Sequence, residues 1–151
     1  MIKCEFEGGR ELEAALKNLK RATAKNIARK ALRRAAVMLA GRFKAGVRRV
    51  SGRLIESIGV GGRLNKRQKR MARGSARSDV EIYAGVTDDP AGAMLEFGTS
   101  RQAAKPFMRP VWQNSQSEVL GMIRDDMSVA VEKAIARDRR RAEREAAKMG
   151  Q

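Results

Sequence analysis

Residues able to make or break bonds are sparse in this sequence. It has no histidine and one cysteine, Cys4. Imidazole-based triads, His-ligated metals, disulfide frameworks and multi-thiolate sites therefore have nothing to build them. A serine or Cys4 nucleophile would lack the base that activates it. Cys4 alternates with the charged Lys3 and Glu5, which reads as an inward-facing core position on a strand. The acid pairs Asp88-Asp89 and Asp125-Asp126 come without the spaced oxygen partners that a divalent cation needs. The first pair precedes Pro90 as turn chemistry, and the second would point about 100° apart on a helix. Gly59-Val60-Gly61-Gly62 lacks the Lys-Ser/Thr ending of a phosphate loop. These patterns predict no catalytic residue, no metal site and no cofactor, and a protein that is not an enzyme.

Charge is the stronger signal. The chain has 151 residues and a formal net charge of +16. From Ala14 to Ser78 there are twenty Lys or Arg and one acid, Glu56, whereas the rest of the chain carries thirteen bases and sixteen acids. Within that basic part, Arg63, Lys66, Arg67, Lys69, Arg70, Arg73 and Arg77 run with no acid between Glu56 and Asp79. So one-sided a run makes these seven residues candidates for contact with a polyanion or an acidic partner. Phe43 is the only aromatic in the basic part, which argues against base stacking. Nonspecific, salt-dependent DNA contact through residues 14–78 is the alternative function to weigh.

The elements that must carry these residues read as follows. Ile2, Cys4 and Phe6 alternate with charges as a strand does. From about Arg10 to Val47 the apolar and small positions step by nearly four residues, a helix whose stripe wanders. If the stripe does not wander, the helix must break, near Thr23–Asn26 or late at Gly41 or Gly46. Leu54–Val60 and Asp79–Val86 read as strands, and residues 63–78 between them as a loop or hairpin excursion. Asp88-Asp89-Pro90 starts a short helix that ends at Phe97, with Gly98 as its cap. Pro110 opens the last helix, whose apolar steps are Leu120, Ile123, Met127, Ala130 and Ala134. Beyond Ile135 the sequence is mixed charge with nothing to bury, a tail expected to protrude or fray. No run approaches the roughly 20 apolar residues of a membrane span, and the N-terminus lacks a signal-peptide stretch. The expected architecture is α+β: a small, mainly antiparallel sheet packed against a long N-terminal and a long C-terminal helix. Residues 1–136 form its single domain and 137–151 a charged extension.

Two motifs carry a family likeness. Glu96-Phe97-Gly98-Thr99 is followed by Pro106-Phe107-Met108-Arg109-Pro110, and upstream lies Ser51-Gly52-Arg53-Leu54-Ile55-Glu56-Ser57-Ile58. In this order they resemble the signatures of a family of small tail or neck proteins of long-tailed bacteriophages and prophages, with Ser51 where Thr is usual. The resemblance marks Gly52, Leu54, Ser57, Ile58, Glu96, Phe97, Gly98, Thr99, Pro106, Phe107, Arg109 and Pro110 as structural motif residues. It implies a virion protein at the tail–head junction, acting in tail completion and head–tail joining. It also implies self-assembly as a ring, sixfold to match the tail tube, with tube, terminator and head-closure subunits as neighbours. The protein would be in the host cytoplasm during assembly and afterwards in the tail or neck, with no membrane contact. On this reading Phe97 and Phe107 are core anchors flanking a loop. Glu96 either accepts from amides of residues 99–103 or pairs with Arg109.

Overall fold

A computed structural model describes residues 9–47, 52–64, 66–71, 79–87 and 89–149. The strand expected at Ile2–Phe6 lies outside them. Helix α1 (Gly9–Lys17) and helix α2 (Arg21–Gly46) are separate, so the long N-terminal helix does break. It does so at residues 18–20, runs intact through Thr23–Asn26 and Gly41, and ends at Gly46, one of the expected places. The Leu19 amide closes a tight three-residue turn onto the Leu16 carbonyl at 3.2 Å, and the Leu19 side chain is buried. Burying Leu19 folds α1 back beside α2, which a break after Thr23 would not do.

Along α2 the buried positions Ile27, Ala31, Ala35, Leu39 and Phe43 each lie four residues from the last, with Ala40 buried beside them. Four residues turn a helix by about 400°, so this seam drifts about 40° per step, and α2 meets different neighbours along its length. At its start Ile27 joins Leu19, Val131 and Ala134 in one small core. Further along, Ala35, Leu39 and Phe43 join Leu54, Ile58, Phe107 and Val119 in the main one.

Residues 52–57 are a helical turn, α3 (Gly52–Ser57), and only Ile58–Gly61 form strand β1. A strand from Leu54 to Val60 would put Leu54, Glu56 and Ile58 on one face. The helical turn instead buries Leu54 and Ile58, four apart, and leaves Glu56 in solvent. The Ser57 hydroxyl donates to the Leu54 carbonyl at 2.7 Å and closes the turn. The basic stretch that follows is partly helical, as α4 (Lys66–Met71), where an excursion or loop is expected. Strand β2 is Tyr83–Val86, shorter than Asp79–Val86. It pairs antiparallel with β1, Ile58 opposite Val86 and Gly61 opposite Tyr83, and the short β1 leaves residues 79–82 no ladder to join.

Helix α5 (Pro90–Phe97) starts where its sequence says it should. Asp89 accepts from the Ala91 amide at 2.9 Å, and Pro90 occupies the first turn. Gly92 lies directly on Val86, where an added Cβ would come within 2.6 Å of a Val86 methyl. Helix α6 (Met108–Met149) packs along α2 and against α1. Its buried residues are Ser115, Val119, Val131 and Ala134. Leu120, Ile123, Met127 and Ala130 are half-buried. The charged tail continues the helix, exposed on all sides, with Arg139–Glu143 and Arg141–Glu145 pairs at four-residue spacing. The architecture is α+β, with about 75% of the described residues helical.

Candidate functional site

The motif residues converge where α5 ends and α6 begins. The first four amides of a helix have no partner inside it, and here they belong to Phe107, Met108, Arg109 and Pro110. Pro110 has no N–H. Position 107, where a Ser, Thr, Asp or Asn would serve as cap, is Phe, so the cap must come from elsewhere. It comes from Glu96: Oε2 accepts from the amides of Phe107 and Met108 at 2.9 and 3.0 Å, and Oε1 from that of Arg109 at 3.0 Å. All three donors are satisfied by one carboxylate that is 2% exposed.

Burial alone would push the Glu96 carboxyl up. The three amides and the positive Arg109 outweigh that, and hold it below its ordinary value. The expected pairing with Arg109 is present, Nε lying 3.3 Å from Oε1. The expected amides at 99–103 are not its donors. Those residues instead form a tight loop, with Thr99 and Gln102 exchanging backbone bonds at 2.9 and 3.3 Å. Gly98 makes the turn into that loop at φ +77°, and a Cβ there would meet the Ala104 amide nitrogen at 2.9 Å. The Lys105 amide then returns to the Leu95 carbonyl at 2.8 Å, bringing Pro106 and Phe107 back to α5.

Phe107 is a core anchor, 7% exposed, but Phe97 is not: it is 68% exposed. Its ring lies on the outer side of α5, under the Arg109 guanidinium, whose central carbon is 5.2 Å from the ring centroid. The same guanidinium donates to the Glu96 carbonyl at 3.0 Å. Arg109 thus clamps the end of α5 while shielding one side of Phe97. Met94, one turn earlier on α5, is 51% exposed. The upstream motif serves the same corner through the sheet. Leu54 and Ile58 fill the core, and the Ser57 carbonyl accepts from both the amide and the hydroxyl of Thr87 at 2.9 Å. Gly52 is exposed at the start of α3.

A family model described as Bacteriophage HK97-gp10, putative tail-component, matches residues 10–98. The chain belongs to this family. The HK97-gp10-like match spans α1 to α5 and the sheet, and it takes in Glu96, Phe97 and Gly98. The Pro106–Pro110 motif lies beyond the matched residues, tied to them by the Glu96 cap. No curated protein and no solved structure matches the chain.

Of the seven basic candidates, the described ones lie on or beside α4. Arg63, Lys66, Lys69 and Arg70 are exposed around α4, Arg67 lies within α4, and Arg73 and Arg77 fall outside the described residues. Helix α4 is held to the sheet by Gln68, whose side-chain amide donates to the Val86 carbonyl at 3.2 Å. Cations of α2 engage acids from elsewhere in the fold. Arg21 and Lys25 both pair with Asp79, Arg34 with Asp126, and Arg42 with Glu118 and the buried Ser115 hydroxyl. Arg21 and Lys25 hold the Asp79 carboxyl below its ordinary value. Among the described residues no group of His, Cys, Asp or Glu is arranged to hold a metal ion, and no helix is long and apolar enough to cross a membrane.

Proposed function

We propose that this tail component is a structural virion protein of the tail–head junction, which completes the tail by assembling as a ring and joins it to the head. The observation that carries this reading is the exposed apolar pair Met94 and Phe97 on a corner held rigid by the Glu96 cap. Phe, Met and Arg together are the composition of an interface centre. The corner's groups are already committed to hydrogen bonds within the fold, so its work is contact, with no bond made or broken.

Labelled copies should appear at the head-proximal end of the tail in electron micrographs of mature particles, arranged as a ring. Finding the label at the distal tip, or none in purified particles, would overturn the assignment. The double variant Met94→Ser, Phe97→Ser should keep its thermal unfolding midpoint within a few degrees yet fail to join particles.

Nonspecific DNA contact is the second reading. Exposed Arg29, Lys30 and Arg33 on α2 favour it. A gel-shift titration that shows tight binding at physiological salt, by a protein missing from particles, would replace the first reading with the second.

A further inference from the structure

Between α2 and α6, at the end distant from the capped corner, runs an open groove of about 950 Å³. The apolar lining of its floor is Ile27, Ala31, Val129 and Ala130, of which Ile27 and Ala31 are largely buried and Val129 and Ala130 offer the accessible surface. Val129 stands half in solvent, an apolar residue with nothing over it among the described residues. The rim is Lys30, Arg34, Lys133, Arg137 and Arg140, against the single acid Asp126, which Arg34 already engages.

We propose that this groove docks an acidic amphipathic helix of another protein. The proposal deepens the assembly reading above and rests on it only for the setting in which the partner is met. The shape argues for a helix. Helices α1, α2 and α6 pack together, and the groove is the open seam between two of them. Along α2 it runs from Thr23 to Arg34, roughly 16 Å or three helical turns. That is the span over which residues at positions i, i+4 and i+7 of a guest helix would meet the floor.

The charge selects the guest. A second copy presenting the same groove would bring five cations against five, so the face rejects itself. Duplex DNA satisfies the rim but leaves the floor unused, because a phosphate backbone is too wide and too polar to enter between two helices. A helix with an apolar stripe flanked by Glu or Asp satisfies both at once.

The test uses the full chain and a labelled 18-residue peptide with Leu at i, i+4, i+7 and i+11 flanked by Glu, followed by fluorescence anisotropy. Controls are the same peptide with Leu replaced by Ser, the apolar stripe flanked by Lys, and a short DNA duplex. The acidic amphipathic peptide should bind at least about tenfold more tightly than either control peptide. The double variant Lys30→Glu, Lys133→Glu should weaken it by about tenfold or more, and Val129→Asp should do the same. All of these positions are exposed, and unchanged thermal unfolding will show that the variants fold. Equal binding of the Ser-substituted peptide, or no response to the variants, overturns the proposal. So does DNA that competes equally for the same residues. Incorporation of the wild-type protein into particles is scored separately, so failure of the groove and failure of the tail-junction role give different results.

Discussion

Glu96 is a carboxylate placed where burial is costly and repaid in full by three amides and a guanidinium. Replacing it with Ala leaves those amides without an acceptor, and the expected loss is on the order of 3 kcal/mol in chemical denaturation. Its pH signature has a definite sign. Because the folded carboxyl is held below its ordinary value near 4.5, the stabilisation is complete above that value. It is lost as pH falls through the lower, folded value. Unfolding free energies of the wild type and of Glu96→Gln, measured between about pH 3 and pH 7, should therefore converge towards the acid end. A gap that stays constant with pH would show that the charge is not what caps α6. Phe107→Ala should cost about 3–5 kcal/mol, as for a buried ring, whereas Phe97→Ala should cost little. The two phenylalanines look alike in the sequence. What separates them is that Arg109 covers one from outside, a contact twelve residues away that no local pattern announces. The Glu96 cap did leave a trace. A helix opening with Phe at its cap position and Pro at its third residue has donors that must be answered from a distance.

At the scale of elements, α5 was the most legible part of the chain, because Asp89, Pro90 and Gly98 are chemically specific start and stop signals. The stretch from Leu54 to Ile58 was misleading. Its apolar residues at 54, 55, 58 and 60 fit a strand by composition, and only the exposed position of Glu56 separates the two periods. The break between α1 and α2 has neither Gly nor Pro to mark it and is decided by the burial of Leu19 against α6, a tertiary contact. The packing of α5 on β2 gives a sharp expectation. Gly92→Ala forces a methyl against the stiff Val86 side chain and should destabilise by about 1–3 kcal/mol, although alanine is the better helix former. If thermal unfolding rises instead, α5 is not seated on the sheet as described. The charged end of α6 should behave oppositely. Ending the chain after Asp138 removes, among the described residues, only exposed ones and surface pairs, and should change the unfolding free energy by less than about 1 kcal/mol.

Across the whole molecule, the net charge of +16 is distributed rather than focused. Part is matched by Asp79, Glu118 and Asp126, part surrounds α4, and part rims the α2–α6 groove. Composition revealed the excess but not this division, which depends on how α2 lies against α6. Substituting Gln for Arg63, Lys66, Arg67, Lys69, Arg70, Arg73 and Arg77 should shift stability by no more than about 0.5 kcal/mol per site while lowering the yield of infectious particles. An undiminished yield would mark that stretch as mere solvation. The length of α6 has a mechanical consequence. Its 42 residues form a rod of roughly 60 Å, capped at its root by Glu96 and packed against α2 and α1 as far as Ala134. The exposed part beyond Ala134, as far as Met149, projects about 22 Å, so a bend of about 15° at its base would swing the tip by about 6 Å, more than a hydrogen bond's reach. Two small buried residues at its base, Val131 and Ala134, therefore set the aim of everything the distal arm touches.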